Sequence, residues 1–164
     1  MIIILLILVC YAQSVVLFPN ISNQEKLSDE IRTNLERLSY NRDFYIITQQ
    51  NIHLYLEKRN LSLSMLPKEY GLEFAKTIQA NFLLLGTYEN VDSKHSLSIS
   101  VYNTESDMMQ KQFNVDGKDM SDLKKNIPSL INGILIQLLI DRGMSDPLDY
   151  PFVSVPKGNY VENN

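Results

Sequence analysis

The chain has 164 residues, enough for one ordinary domain and too few for two. Apolar residues make up 45% and charged residues 21%, so a core can be buried and disorder by composition is excluded. Fifteen Lys and Arg against nineteen Asp and Glu leave −4, which argues against nucleic acid, whose phosphates reward a basic face, and one cysteine excludes an internal disulfide or a thiolate metal cage.

Residues 2–10 are an unbroken apolar run. It is shorter than the about 20 residues that span a bilayer, and it fits the roughly 7–15 of a signal-peptide core. Cys10 and Ala12 stand at a small-x-small spacing, which predicts cleavage between Ala12 and Gln13. No Lys or Arg precedes the run. Two alternatives are a lipid on Cys10, although Val9 rather than a small residue precedes it, and an uncleaved membrane anchor continuing through Phe18. The anchor reading would withdraw Val15–Phe18 from the first predicted strand. The division expected is a signal peptide over 1–12, one domain over 13–143 and an extended or flexible tail over 144–164.

Val15–Phe18, ended by Pro19, reads as a buried strand. Ser22 and Glu25 have capping-box spacing, and Leu27, Ile31, Leu35 and Leu38 then mark a helix face. A second strand is read over 43–48, and Thr48 caps a short helix bearing Ile52, Tyr55 and Leu56. Pro67 starts another helix whose stripe is Tyr70, Phe74 and Ile78, with Gly71 in place for close packing. Residues 81–89 read as a central strand, apolar on both faces at Leu83, Leu84 and Leu85. A polar turn over 90–96 leads to the alternating strand 97–101, and a third strand offers Met109, Phe113 and Val115 to a core. The last helix covers about 119–142 on Leu123, Ile127, Leu130, Ile134 and Leu138; Pro128 should kink or split it, and Gly143 should stop it. The fold class is α/β in an α+β layer arrangement. A mixed sheet of about five strands is expected in the order βαβ(α)αβββα, with a three-strand antiparallel meander and helices packed on it.

Chemistry-bearing motifs are absent: there is no glycine-rich phosphate loop, nucleophile elbow or zinc-protease helix. His53 reads as a helix surface residue and His95 as a solvated turn residue. Glu105 and Asp107 flank a turn, while Asp116, Asp119 and Asp122 favour a helix N-terminus. No catalytic residue, cofactor site or metal ligand set is read. The acidic surplus lies after residue 86, where it can steer a basic partner.

The stretches SVVLFPNIS, DEIRTNLERL, DFYIIT and EFAKTIQANFLLLGTYENVDSKHSLSISVYNTESDMMQ carry a resemblance. Their order is similar to the N-terminal domain of TolB proteins, to the curli secretion protein CsgG, and to lipoprotein activators of penicillin-binding proteins. Gly86 occupies the family's glycine at the end of the central strand, and the match covers about residues 14–142. The resemblance implies an extracytoplasmic, non-enzymatic domain that binds another envelope protein, in the periplasm or at the outer membrane. Membrane association through the N-terminus is the further expectation. Candidate partner-binding residues are Ser98, Ser100 and Tyr102 in the meander and Tyr150 and Phe152 in the tail. The alternative is a small-ligand or cell-wall-fragment module with a pocket beside Gly86.

Overall fold

The computed structural model describes residues 14–19, 21, 23–40, 42–60 and 68–142. Ala12–Gln13, Cys10, Ser22, Pro67, Gly143 and the tail with Tyr150 and Phe152 lie outside them. The elements run β1 (Ser14–Leu17), α1 (Glu25–Ser39), β2 (Phe44–Ile46), α2 (Gln49–Lys58), α3 (Lys68–Thr77), β3 (Phe82–Val91), β4 (Lys94–Asn103), β5 (Met109–Gly117) and α4 (Met120–Asp141). One five-stranded sheet has the order β2-β1-β3-β4-β5, with β1 parallel to both neighbours and β3, β4 and β5 antiparallel. This is the mixed α+β sheet and meander expected from the sequence.

Helices cover both faces. Leu27, Ile31 and Leu35 of α1 and the apolar side of α4 bury Val16, Phe44, Leu84, Leu97, Ile99, Val101 and Phe113. On the other face α2 and α3 bring Ile52, Leu56, Leu72, Phe74 and Ala75 onto Leu17 and Leu83. Consecutive leucines of β3 therefore serve opposite cores, which is why that strand is apolar throughout.

Several local expectations change. α1 begins at Glu25 with Gln24 as N-cap and no side-chain cap, so Glu25 is one residue into the helix and no capping box forms. Ser28 replaces it from inside: its Oγ accepts from Ile21 N at 2.8 Å and donates to Gln24 O at 2.8 Å. On α3, Tyr70 is exposed, because the buried arc centres on Gly71 and Ala75 and Tyr70 falls just outside it. Gly71 does serve close packing, since an added Cβ would lie 3.1 Å from Leu83 Cδ2. The polar turn contracts to Asp92–Ser93, whose φ values of 50° and 65° make the two-residue hairpin that right-handed strand twist favours. Pro128 leaves α4 one continuous helix. Met109 is exposed rather than in the core. A register shift opposite Val101/Tyr102 puts an additional β5 residue between Lys111 and Met109 and reverses the strand's alternation there.

The caps of α2 and α4 follow the side-chain rule. Thr48 Oγ1 accepts from Asn51 N at 3.4 Å, and Asp119 Oδ1 accepts from Asp122 N at 2.8 Å. The bond from Asp122 N holds the Asp119 carboxyl below its ordinary pKa, with Lys118 and Lys125 adding to the effect. Because the folded value is depressed, the cap stabilises fully above the unfolded carboxylate pKa and is lost as pH falls through the folded value. The Asp119→Ala variant should therefore melt below the parent at neutral pH, and the gap should close on acidification. A melting series from neutral to acidic pH checks this, and a gap that persists unchanged in acid contradicts it.

Candidate partner-binding face

Among the described residues the helices leave part of the sheet bare. α2 and α3 sit over β1 and the start of β3, and among the described residues no helix covers the same face of the meander beyond them. Three registered rows cross this bare area. Leu85, Ser100 and Gln112 form one, Thr87, Ser98 and Asn114 the next, and Glu89, Ser96 and Asp116 the third. Paired residues in a sheet share a face, so the hydroxyls and amides of each row project together.

The rows are partly knitted. Gln112 Nε2 donates to Asn114 Oδ1 at 3.0 Å, Ser96 Oγ donates to Asp116 Oδ1 at 2.7 Å, and Lys94 Nζ lies 2.8 Å from Asp116 Oδ2. The hydrogen bond from Lys94, followed by that from Ser96, lowers the Asp116 pKa. At the other end of the face Tyr102 packs against the α2–α3 core, and Lys68 Nζ stands 5.0 Å from its ring centroid. Met109, registered with Tyr102, is half exposed beside it. The surface thus grades from an aromatic, sulfur-containing end to hydroxyls and amides and then to a compensated charged end.

Ser98, Ser100 and Tyr102, the meander candidates from the sequence, fall together on this face. Sequence reasoning missed Thr87, Gln112 and Asn114, which join them only through the strand register. Their signal was the polar half of each alternation, and it is unreadable until the strands are paired. β5 is the edge of the sheet, so its outer backbone adjoins the same surface. Asn126 Nδ2 occupies one edge carbonyl, Asp116 O, at 3.4 Å.

Other candidates resolve locally. His53 is exposed on α2, as expected. His95 is a half-buried residue of β4, not a turn residue, with Nδ1 2.6 Å from Tyr88 Oη. Asn103 Oδ1 accepts from Glu105 N and Ser106 N at 2.8 and 3.2 Å, and Lys76 Nζ lies 2.6 Å from Asp107 Oδ2. Among the described residues no group of three or more His, Cys, Asp and Glu is placed to hold a metal ion. The space beside Gly86 is filled: Ile21 Cγ1 would lie 2.8 Å from an added Cβ, and Phe18 stands behind it. The glycine admits Ile21 onto the sheet instead of opening a pocket.

A mixed sheet in which β1 runs parallel to both neighbours, an antiparallel meander and helices on both faces define an α+β fold. Neither a family model nor a curated protein matches the sequence. The fold matches the LpoB C-terminal domain from Salmonella enterica with a TM-score of 0.54 and 15% identity, over 64% of this chain and 82% of that one. TolB from Acinetobacter baumannii matches with a TM-score of 0.53 and 9% identity, over 78% of this chain but 28% of that one. Lipoprotein GNA1162 from Neisseria meningitidis gives 0.50 and 9%, over 79% and 95%. The chain thus has the fold that its strand and glycine pattern anticipated. Among the described residues no helix is long and apolar enough to cross a membrane.

Proposed function

We propose that the chain is a non-enzymatic protein-binding domain of the bacterial cell envelope. It is exported by means of its apolar N-terminal segment, and it engages another envelope protein with the bare face and outer edge of the meander. The observation that carries this reading is the face of β3–β5 that no helix covers among the described residues, whose registered hydroxyls and amides offer directional hydrogen bonds beside an aromatic anchor at Tyr102. Such a face suits an extended or sheet-edged partner, with main-chain bonds along β5 giving affinity and the side-chain rows giving selectivity. The likeness to LpoB and TolB folds supports the envelope setting. The small-ligand alternative loses its anticipated place, because Ile21 and Phe18 occupy the space over Gly86.

The test is photocrosslinking in intact envelopes. A photoreactive residue at Ser98 or Ser100 should trap one discrete protein, whereas the same residue at Lys26 on α1 should not. The Ser98→Arg/Ser100→Arg double variant should lose that product while keeping the parental melting temperature. Equal labelling from α1, or no discrete product from either serine, would overturn the reading.

A further inference from the structure

The outer edge of β5 is open over a short window. Val91 and Lys94 close the two-residue turn and are therefore a hydrogen-bonded pair, so alternation directs the main chain of Leu97, Ile99 and Val101 toward β5. Their partners Val115, Phe113 and Lys111 point back, which turns the amides and carbonyls of Gln112, Asn114 and Asp116 outward. Asn126 takes the Asp116 carbonyl, and the register shift opposite Val101/Tyr102 ends the regular edge before Lys111. Among the described residues the outward main-chain groups of Gln112 and Asn114 have no bonding partner. The window is centred on Phe113.

An edge of this kind matches itself. In an antiparallel pairing of two β5 strands, Gln112 of each copy meets Asn114 of the other, and Phe113 lies at the twofold axis. Each such pair exchanges both of its main-chain bonds, and the bond from Asn126 to Asp116 is left in place. α4 has the same symmetry. It runs under β5 in the opposite sense, with Asn126 at Asp116, Gly133 at Phe113 and Gln137 at Lys111. The axis therefore passes beside Gly133, and the two α4 helices lie antiparallel. Neighbouring strands stand about 4.8 Å apart while helices pack at about 8–10 Å, so the helices need small residues where they meet. Ser129 and Gly133 are small and half-buried, and a Cβ added at Gly133 would meet nothing nearer than 3.8 Å. Half-buried Ile136 of each copy then lies opposite Ser129 and Gly133 of the other. Exposed Lys125 and Asp141 stand equally far from Gly133 on its two sides, so the pairing sets Lys125 of one copy against Asp141 of the other, twice.

We propose that two copies of this chain pair through β5 and α4, joining their sheets into one. The two bare faces then lie side by side as a single surface. For the partner reading, on which this consequence rests, the pairing is a control. β5 is withheld while the copies are joined, and a strand-bearing partner must displace one of them.

Sedimentation of the purified full chain over a dilution series tests the pairing with no partner present. The parent should sediment as a dimer that dissociates on dilution. Asn114→Pro removes an outward amide that a single copy does not use, so it should stay monomeric with a near-parental melting temperature. Lys125→Asp should weaken the dimer about tenfold by setting like charges together at both ends of the helix contact. Lys125→Asp/Asp141→Lys should restore it. Both positions are exposed, so the charge swap reads the pairing even if the proline variant fails to fold. A parent that is monomeric throughout, a dimer indifferent to these variants, or a double variant as weak as Lys125→Asp contradicts the proposal. Crosslinking at Ser98 reads the envelope partner separately. A discrete partner beside a monomeric chain removes only the pairing, and a dimer without a crosslinked partner removes only the partner reading.

Discussion

Replacing Gly117 by alanine is expected to destabilise the protein by about 3 kcal/mol, at the upper end of what an overpacked site costs. An added Cβ would lie 2.4 Å from Leu123 N, 2.7 Å from Leu123 Cα and 2.9 Å from Asp119 O. All three atoms are main chain, so no side-chain rotation relieves the contact. Gly117 lets the end of β5 come against the first turn of α4, where Asp119 caps the helix and Leu123 enters the core. Relief would require prising that turn away and losing both. Gly133 supplies the opposite case within the same helix. A Cβ there meets only Phe113 Cε1, at an ordinary 3.8 Å. Gly133→Ala should therefore add up to about 1 kcal/mol by removing a flexible residue from a helix interior. Urea unfolding of both variants gives the comparison, and a Gly117→Ala midpoint equal to the parent's would refute the account.

Arg42→Ala should cost about 3 kcal/mol, the scale reached when a buried charged group is removed from its partners. Arg42 is 1% exposed and heads the largest fully buried side chains. Its Nη2 donates to Asn132 Oδ1 at 2.8 Å and its Nη1 to Leu38 O at 3.3 Å. The guanidinium thereby joins the end of α1 to the middle of α4 just ahead of β2. Asn132→Leu tests the same link from the other side and should cost about 1–3 kcal/mol, because one donor of the buried guanidinium loses its acceptor. A double-mutant cycle separates coupling from packing: simple addition of the two losses would show that the bond itself contributes nothing.

The parts of the fold legible in the sequence are those governed by strict periodicity. Leu27, Ile31 and Leu35 announce the face of α1, and Leu97, Ile99 and Val101 announce the buried side of β4, because each pattern matches the rotation of its own element. Leu83 and Leu84 were readable as a two-sided strand for the same reason. What escaped depends on relations between elements. A lone arginine between a helix and a strand reads as surface, and only the packing of α1 against α4 places Arg42 inside. The extra residue in β5 turns Met109 outward, yet nothing in its local alternation betrays the insertion. Asp92–Ser93 lacks the glycine that marks most tight hairpins, so the sequence alone predicts a wider turn and shorter β3 and β4 than the fold has.

The candidate face divides in the same way. Ser98, Ser100 and Tyr102 follow from the alternation of one strand. Joining them to Thr87, Gln112 and Asn114 requires two registers, and seeing that the face is bare requires knowing that α2 and α3 settle over β1 and β3. Gly117 was hidden too, since a glycine before a helix reads as an ordinary connector, and its necessity comes from a main-chain approach across that junction.

The position of β1 has a consequence for how the chain acquires its structure. β1 is the first strand in the chain, yet it lies inside the sheet, where Val15 N bonds the side chain of Asn81 from 66 residues away. Its parallel partners are both distant in sequence, whereas β3, β4 and β5 join through neighbouring turns and α4 follows directly. Loop closure makes the distant pairing the slower event, so the local C-terminal unit forms early and the first-made segment docks late. Until that docking, the Val16 and Leu17 slots stay open and the two cores remain unsealed. A newly made chain therefore cannot lock into its final form ahead of its own later half.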